Sequence, residues 1–233
     1  MKADILERLQ AARAGKRPVA LVTDLKSGAQ ALLGSGEPVG DVVLAGDATP
    51  EALKLLERDR SAAVEVAGRR VFVHVYNPPS RLIVVGAVHI AQALVPMASL
   101  MGYAVTIVDP RRAFATDARF PSVTLSDEWP DEAMERLDPD RRTAVVTLTH
   151  DPKLDDPALA VALRSPAFYI GALGSRKTHA SRLKRLTGMG FTDNELARIR
   201  GPVGLSIGAI TPAEIAVSIM AQITETRRRE AVS

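Results

Sequence analysis

The chain has 233 residues, 46% of them hydrophobic, which suits one large α/β domain or a domain of about 150 residues with a smaller companion. It holds no cysteine, which excludes disulfides, thiolate metal sites and cysteine nucleophiles, and suits a reducing compartment. A formal charge of only +3 and 4% aromatic residues argue against a nucleic-acid-binding surface.

The opening MKADILERLQAAR is charged and amphipathic, without the apolar core of a secretory signal. No run approaches the roughly 18 consecutive apolar residues of a membrane span. Residues 1–78 read as a small N-terminal α+β domain. A helix is expected over about 3–14, a strand over Pro18–Thr23 and a second helix over about 50–59. A hairpin follows, Ala63–Val66 and Arg70–Val75, turning at Ala67-Gly68-Arg69. Asn77-Pro78-Pro79 then breaks the pattern and marks a domain boundary.

Over 79–233 strands and helices alternate, as in a Rossmann-like, doubly wound and mostly parallel sheet. The expected strands are 81–86, 104–108, a weak 122–125, 143–148, 167–171 and 203–206. Helices are expected near 88–101, 131–136, 156–163, 176–188, 193–199 and 211–228. These strands are near-continuous apolar runs, the pattern of a sheet covered on both faces. Ligands of such sheets bind beyond the carboxyl ends of the strands, where every notable polar cluster of this chain falls.

The first cluster is Gly86-Ala87-Val88-His89-Ile90, at a strand-to-helix turn. A dinucleotide fingerprint G-x-G-x-x-G would need glycine where the chain has Val88 and Ala91. Ala91 still permits close packing, but Val88 puts a branched side chain where pyrophosphate oxygens would lie. His89 falls at the first helical turn, where N–H groups and the dipole favour anions; it contacts a ligand or caps its own loop. Asp109, 23 residues after Gly86, occupies the ribose-binding position and is followed by Pro110, Arg111 and Arg112. Arg111 reads as an anion clamp and Asp109 as a hydroxyl or ring acceptor, with a salt-bridged turn between the two as the alternative.

Thr149-His150-Asp151 follows the fourth strand, but adjacent residues make a poor base–carboxylate pair and no G-x-S-x-G elbow exists. The histidines His74, His89, His150 and His179 show no metal-ligand spacing. Gly174-Ser175-Arg176-Lys177 follows the fifth strand, with Ser175 as N-cap. Cations in a first helical turn oppose the dipole unless an anion binds there, so this turn is a second anion site. Its alternative is a solvated basic helix face continued by Arg182, Lys184 and Arg185. Thr211-Pro-Ala-Glu214 is a capping box, and Gly204 and Gly208 before it indicate backbone held close to a neighbour or ligand.

Four ordered segments resemble the XdhC/CoxI-type accessory proteins of molybdenum hydroxylases. They are Val84–Leu94, Val108–Thr116 with Arg119-Phe-Pro121, Tyr169–His179 and Gly204–Ile219. The resemblance implies a cytoplasmic, dimeric protein that binds the molybdenum–molybdopterin cofactor, protects it during sulfuration and delivers it to a xanthine- or CO-dehydrogenase-like apoenzyme. Its partners would be that apoenzyme, a sulfurase and a separate chain of the family's N-terminal type. The pterin form, mononucleotide or dinucleotide, stays open. The family's N-terminal cysteine and G-S-x-P-R loop have no counterpart here, where Thr23–Ala29 stands instead. Cofactor contacts are expected from Gly86 to Ile90, Asp109, Pro110, Arg111, His150, Gly174 to Lys177, Gly208 and Thr211, and more weakly from His179. Two other readings compete: a NAD(P)-dependent oxidoreductase with a degenerate fingerprint, and a docking scaffold that binds no small molecule.

Overall fold

The computed structural model describes residues 2–34 and 36–230, apart from the Glu230 side chain. The chain forms two compact units, one running to Pro78 and taking in the chain from Arg228, the other Pro79–Arg227.

The first unit is an antiparallel sheet of β1 (Val19–Asp24), β2 (Gln30–Gly34), β3 (Val39–Gly40), β4 (Ala62–Val66) and β5 (Arg69–Tyr76), ordered β3-β2-β1-β5-β4. Helix α1 (Ala3–Ala14) buries Ile5 and Leu9 against Val19, Leu21 and Leu32. Helix α2 (Val42–Glu57) buries Leu44, Ala45 and Ala48 against Ala20, Val22, Val71 and Val73 on the opposite face. Strand β1 therefore reads as an unbroken apolar run, because both of its faces are covered. The β4–β5 turn has Ala67 and Gly68 at φ 48° and 72°, a pair of positive values that suits the right-handed twist of a two-residue hairpin. Helix α2 starts earlier than the sequence indicates. The Asp41 carboxylate accepts from the Leu44 N–H at 2.9 Å, and two turns of buried side chains carry the helix through Pro50. Strands β2 and β3, in the Gly/Pro-rich stretch, lack any run long enough to announce them.

The second unit is a wholly parallel sheet of β6 (Arg81–Val85), β7 (Ala104–Val108), β8 (Thr124–Ser126), β9 (Thr143–Thr147), β10 (Tyr169–Ala172) and β11 (Ile199–Arg200). The order is β11-β10-β9-β6-β7-β8. In chain sequence this is six-five-four-one-two-three, the Rossmann order, with its reversal between β6 and β9. Helices α3 (His89–Leu100) and α8 (Pro212–Glu230) cover one face through Ala91, Leu94, Ala216 and Ile219. Helices α4 (Pro130–Leu137), α5 (Pro152–Arg164), α6 (Arg176–Gly188) and α7 (Asp193–Leu196) cover the other through Met134, Ala158, Leu159, Leu186 and Leu196.

The last strand is not at 203–206 but at Ile199–Arg200, pairing with Ile170 and Gly171. Residues 203–206 instead leave the sheet. Val203 still donates its N–H to the Ala172 carbonyl at the end of β10. Gly204, however, donates to the Gln222 Oε1, which also accepts the Tyr169 hydroxyl, and Leu205 donates to the Ser218 carbonyl, so the segment turns onto α8. A Cβ on Gly204 would collide with the Ser218 side chain, which explains the glycine.

Candidate functional site

Four turns leave the carboxyl edge of the parallel sheet near its reversal point, after β6, β7, β9 and β10. The β6 turn begins with Gly86, whose φ of +111° is open to glycine alone. A Cβ there would stand 2.6 Å from the Thr149 Cγ2, so the β6 and β9 turns touch through this missing side chain. Ala87 is buried and donates its N–H to the Asp109 Oδ2 at 2.8 Å, which ties the β6 turn to the end of β7.

Asp109 is wholly buried, and its oxygens are engaged within the protein. Besides Ala87, it accepts from the Arg111 backbone N–H, the Arg111 Nε and the Arg111 Nη2 at 2.8–3.0 Å. The salt-bridged turn is thus the arrangement present. Arg111 lies half-exposed, its guanidinium stacked 4.7 Å from the centre of the Phe114 ring. Burial pushes the Asp109 carboxyl up, but Arg111 and the Ala87 N–H outweigh it and hold the group below the ordinary aspartate range. Its stabilising contribution is therefore full above the unfolded carboxyl's pKa and fades as pH falls through the folded value. We expect Asp109→Ala to cost roughly 1.5–3 kcal/mol at neutral pH, and to flatten the acid limb of the stability profile. Urea titrations between neutral and acid pH read both, and an unchanged acid limb would refute the assignment.

The helix starts on this edge differ. Helix α5 is capped by Asp151, whose carboxylate accepts from the Lys153 N–H. Helix α6 is capped by Ser175, whose hydroxyl accepts from the Thr178 N–H. The Thr211–Glu214 box closes α8, with Glu214 also accepting the Ile210 and Thr211 N–H groups. Among the described residues no side chain caps α3: Val88 is its N-cap residue, and His89 opens the helix exposed to solvent. The first-turn donors of α3 thus face the reversal point with no carboxylate or hydroxyl of the described residues on them.

A model of the XdhC Rossmann domain matches residues 82–223. The chain belongs to the XdhC Rossmann-domain family. It is 33% identical over 161 residues to the uncharacterized protein YqeB of Escherichia coli K12, covering 67% of this chain and 29% of that protein. It is 32% identical over 152 residues to the molybdenum cofactor insertion chaperone PaoD of the same organism, covering 65% and 42%. It is 34% identical over 163 residues to a probable xanthine dehydrogenase subunit of Bacillus subtilis 168, covering 70% and 47%. The chain spans less than half the length of each of these relatives. A crystal structure described as a xanthine dehydrogenase from Bacillus halodurans superposes with a TM-score of 0.75 at 26% identity, over 99% of this chain and 69% of that one.

Within this XdhC Rossmann domain, Arg176 and Lys177 are exposed in the first turn of α6, with no ion pair among the described residues. His150 is exposed with φ at +62°. His179 is partly buried, its ring against Gly201 just past the end of β11, where a Cβ would collide with it. Gly208 has φ at +75° and open space around its Cβ position, so turn geometry and not close approach calls for the glycine.

Sequence pattern alone did not reveal a buried polar chain beneath the β9 and β10 turns. The Thr149 hydroxyl donates to the Asp155 Oδ1 at 2.6 Å, and the Arg182 Nη2 stands 3.5 Å from the Asp155 Oδ2. The same Nη2 donates to the Leu173 carbonyl at 2.8 Å. Arg182 is therefore not part of a solvated basic face; it is 1% exposed. A signal existed. Arg182 precedes the buried Leu186 by one helical turn, and Asp155 precedes the buried Ala158 and Leu159, so both charges sit on apolar stripes.

Proposed function

We propose that this chain binds the molybdenum–molybdopterin cofactor at the carboxyl edge of its parallel sheet and passes it to an apoenzyme of the xanthine-dehydrogenase type. The observation that carries this reading is the uncapped start of α3 beside Gly86, at the sheet's reversal point, in an XdhC domain. The cargo is an anionic, phosphate-bearing pterin. Its phosphate would accept from the first-turn N–H groups at Val88 to Ile90, while Arg176 and Lys177 supply cations one turn away across the β9 end. The name of the PaoD relative, a cofactor insertion chaperone, supports the same role.

The engaged Asp109 favours this cargo over NAD(P). A ribose diol needs a carboxylate with a free oxygen, and here both oxygens hold the Ala87 and Arg111 donors. Protection of the cofactor during sulfuration, a sulfurase partner and a homodimer belong to the same proposal.

The test is a thermal-shift and gel-filtration series with the full chain against molybdenum cofactor, NAD, NADP, CTP and GMP. Cofactor at a hundredfold excess over Kd is expected to stabilise by roughly 2.7 kcal/mol, to co-elute with the chain and to speed activation of an apo-hydroxylase. Stabilisation by NAD(P) alone would establish the oxidoreductase reading instead. Response to none of the ligands would leave the docking scaffold.

A further inference from the structure

The Arg182 guanidinium is buried, yet incompletely partnered. Its Nη2 serves the Leu173 carbonyl and Asp155, while its Nε and Nη1 meet no acceptor among the described residues. Asp155 compensates it poorly: their closest approach is 3.5 Å, and the other Asp155 oxygen is taken by Thr149. Burial pushes the Asp155 carboxyl up, toward its neutral form, against the pull of Thr149 and Arg182. A cation held out of water with so little negative charge against it is costly, and orphaned buried donors of this kind call for an explanation.

The Nη2 end of this guanidinium lies beside Gly174. A Cβ on it would lie 3.8 Å from the Arg182 Nη2 and 3.1 Å from the Thr178 side chain. The guanidinium therefore sits directly behind the bare Gly174 backbone, at the start of α6, with Arg176 and Lys177 on the solvent side of the same turn. Three cations lie at or behind this helix N-terminus. Among the described residues Asp155 alone comes within ion-pair distance of them, while Asp156, paired with Arg185, reaches Arg182 only through its field. Two causes keep the adjacent His179 from adding a fourth charge: burial, then Arg182 itself, both pushing its imidazole pKa down.

We infer that Arg182 is the buried counter-charge of an anion subsite at the Gly174–Lys177 turn, and that its ligand is a phosphate or diphosphate group. Arg182 acts through the field it projects past Gly174, so it is a positioning and specificity residue and does not touch the ligand. This rests on the binding role proposed above but not on the identity of the cargo. The group can reach the site on a pterin, on a nucleotide or as the free ion.

Calorimetric titration of the full chain with inorganic phosphate, pyrophosphate and CMP, each at ionic strength matched with chloride, tests it. The wild-type chain binds at least one of the three, and the strongest arm tells whether the phosphate is recognised alone or on a nucleoside. Arg182→Met weakens that binding about ten- to a hundredfold, as expected for loss of a unit charge about 6 Å away at an effective dielectric near 20. Asp155→Asn does the opposite and tightens binding, because it deletes the compensating negative charge and keeps the cation. A merely structural role predicts weaker binding from both changes, and that result overturns the inference. So does an unchanged affinity in Arg182→Met, or no binding by the wild-type chain. If Arg182→Met does not fold, Asp155→Asn still decides. Phosphate binding that depends on Arg182, in a chain that ignores molybdenum cofactor, would sink the cargo assignment and leave this inference standing.

Discussion

Asp155→Ala unfolds with a stability loss of about 3–5 kcal/mol, and Arg182→Met with a smaller one. The pair is buried on both sides, and removing either partner strands a charge. The two stranded charges are not equivalent. A guanidinium keeps its proton at any accessible pH, whereas a carboxyl can escape its penalty by taking one up. Asp155 is already raised by burial, so in Arg182→Met it protonates instead of unfolding the unit. The sign of the pH dependence follows. A folded-state carboxyl pKa above the unfolded value stabilises below the unfolded pKa, and that contribution is lost as pH rises through the folded one. Arg182→Met should therefore lose stability with rising pH more steeply than the parent chain. The double change Asp155→Leu with Arg182→Met removes both charges and should recover most of the loss. Trp129, the single tryptophan, lies in the Pro79–Arg227 unit, so its fluorescence in urea follows the unfolding of that unit. Additive losses in the double variant would show that Asp155 and Arg182 do not act as a pair.

Gly86→Ala is the second large effect, at about 2–6 kcal/mol together with loss of ligand binding. Two costs add. Alanine at φ +111° carries backbone strain of about 1–3 kcal/mol. Its Cβ would also press on Thr149 from 2.6 Å, an overpacking of about 1–3 kcal/mol. The damage spreads because Thr149 holds Asp155: a displaced Thr149 releases that bond and with it the support under the β9 and β10 turns. Gly188→Ala is the control. Gly188 is helical, nothing lies within 4 Å of its Cβ position, and alanine there should gain up to about 1 kcal/mol. Wild-type-like stability and cofactor retention in Gly86→Ala would remove the β6 turn from the site.

Much of the fold was legible because it rests on local pattern. Leu82 to Val85, Val105 to Val108 and Ala144 to Val146 are apolar runs between helical periods, and such runs become parallel strands covered on both faces. Ser175 and Thr211 cap helices because a short polar side chain before an apolar-periodic segment does so wherever it sits, whereas Asp151 starts α5 at Pro152, earlier than the expected 156. Other features were hidden for equally physical reasons. Strand β11 is two residues long, and its pairing with β10 depends on where α7 ends, not on its composition. Helix α2 runs through Pro50 because packing against β1 and β5 outweighs a local breaker.

The alternation of strands and helices, the turns after the strands and the missing glycine at Val88 belong to the sequence itself, because each follows from residue type at a fixed spacing. Which of those residues are free to bind was decided only by the tertiary structure. Distance in space, not in sequence, lets Asp109 fill its own oxygens with Ala87 and Arg111, leaves α3 uncapped at the reversal point, and buries Arg182 behind Gly174 with Asp155 no nearer than 3.5 Å.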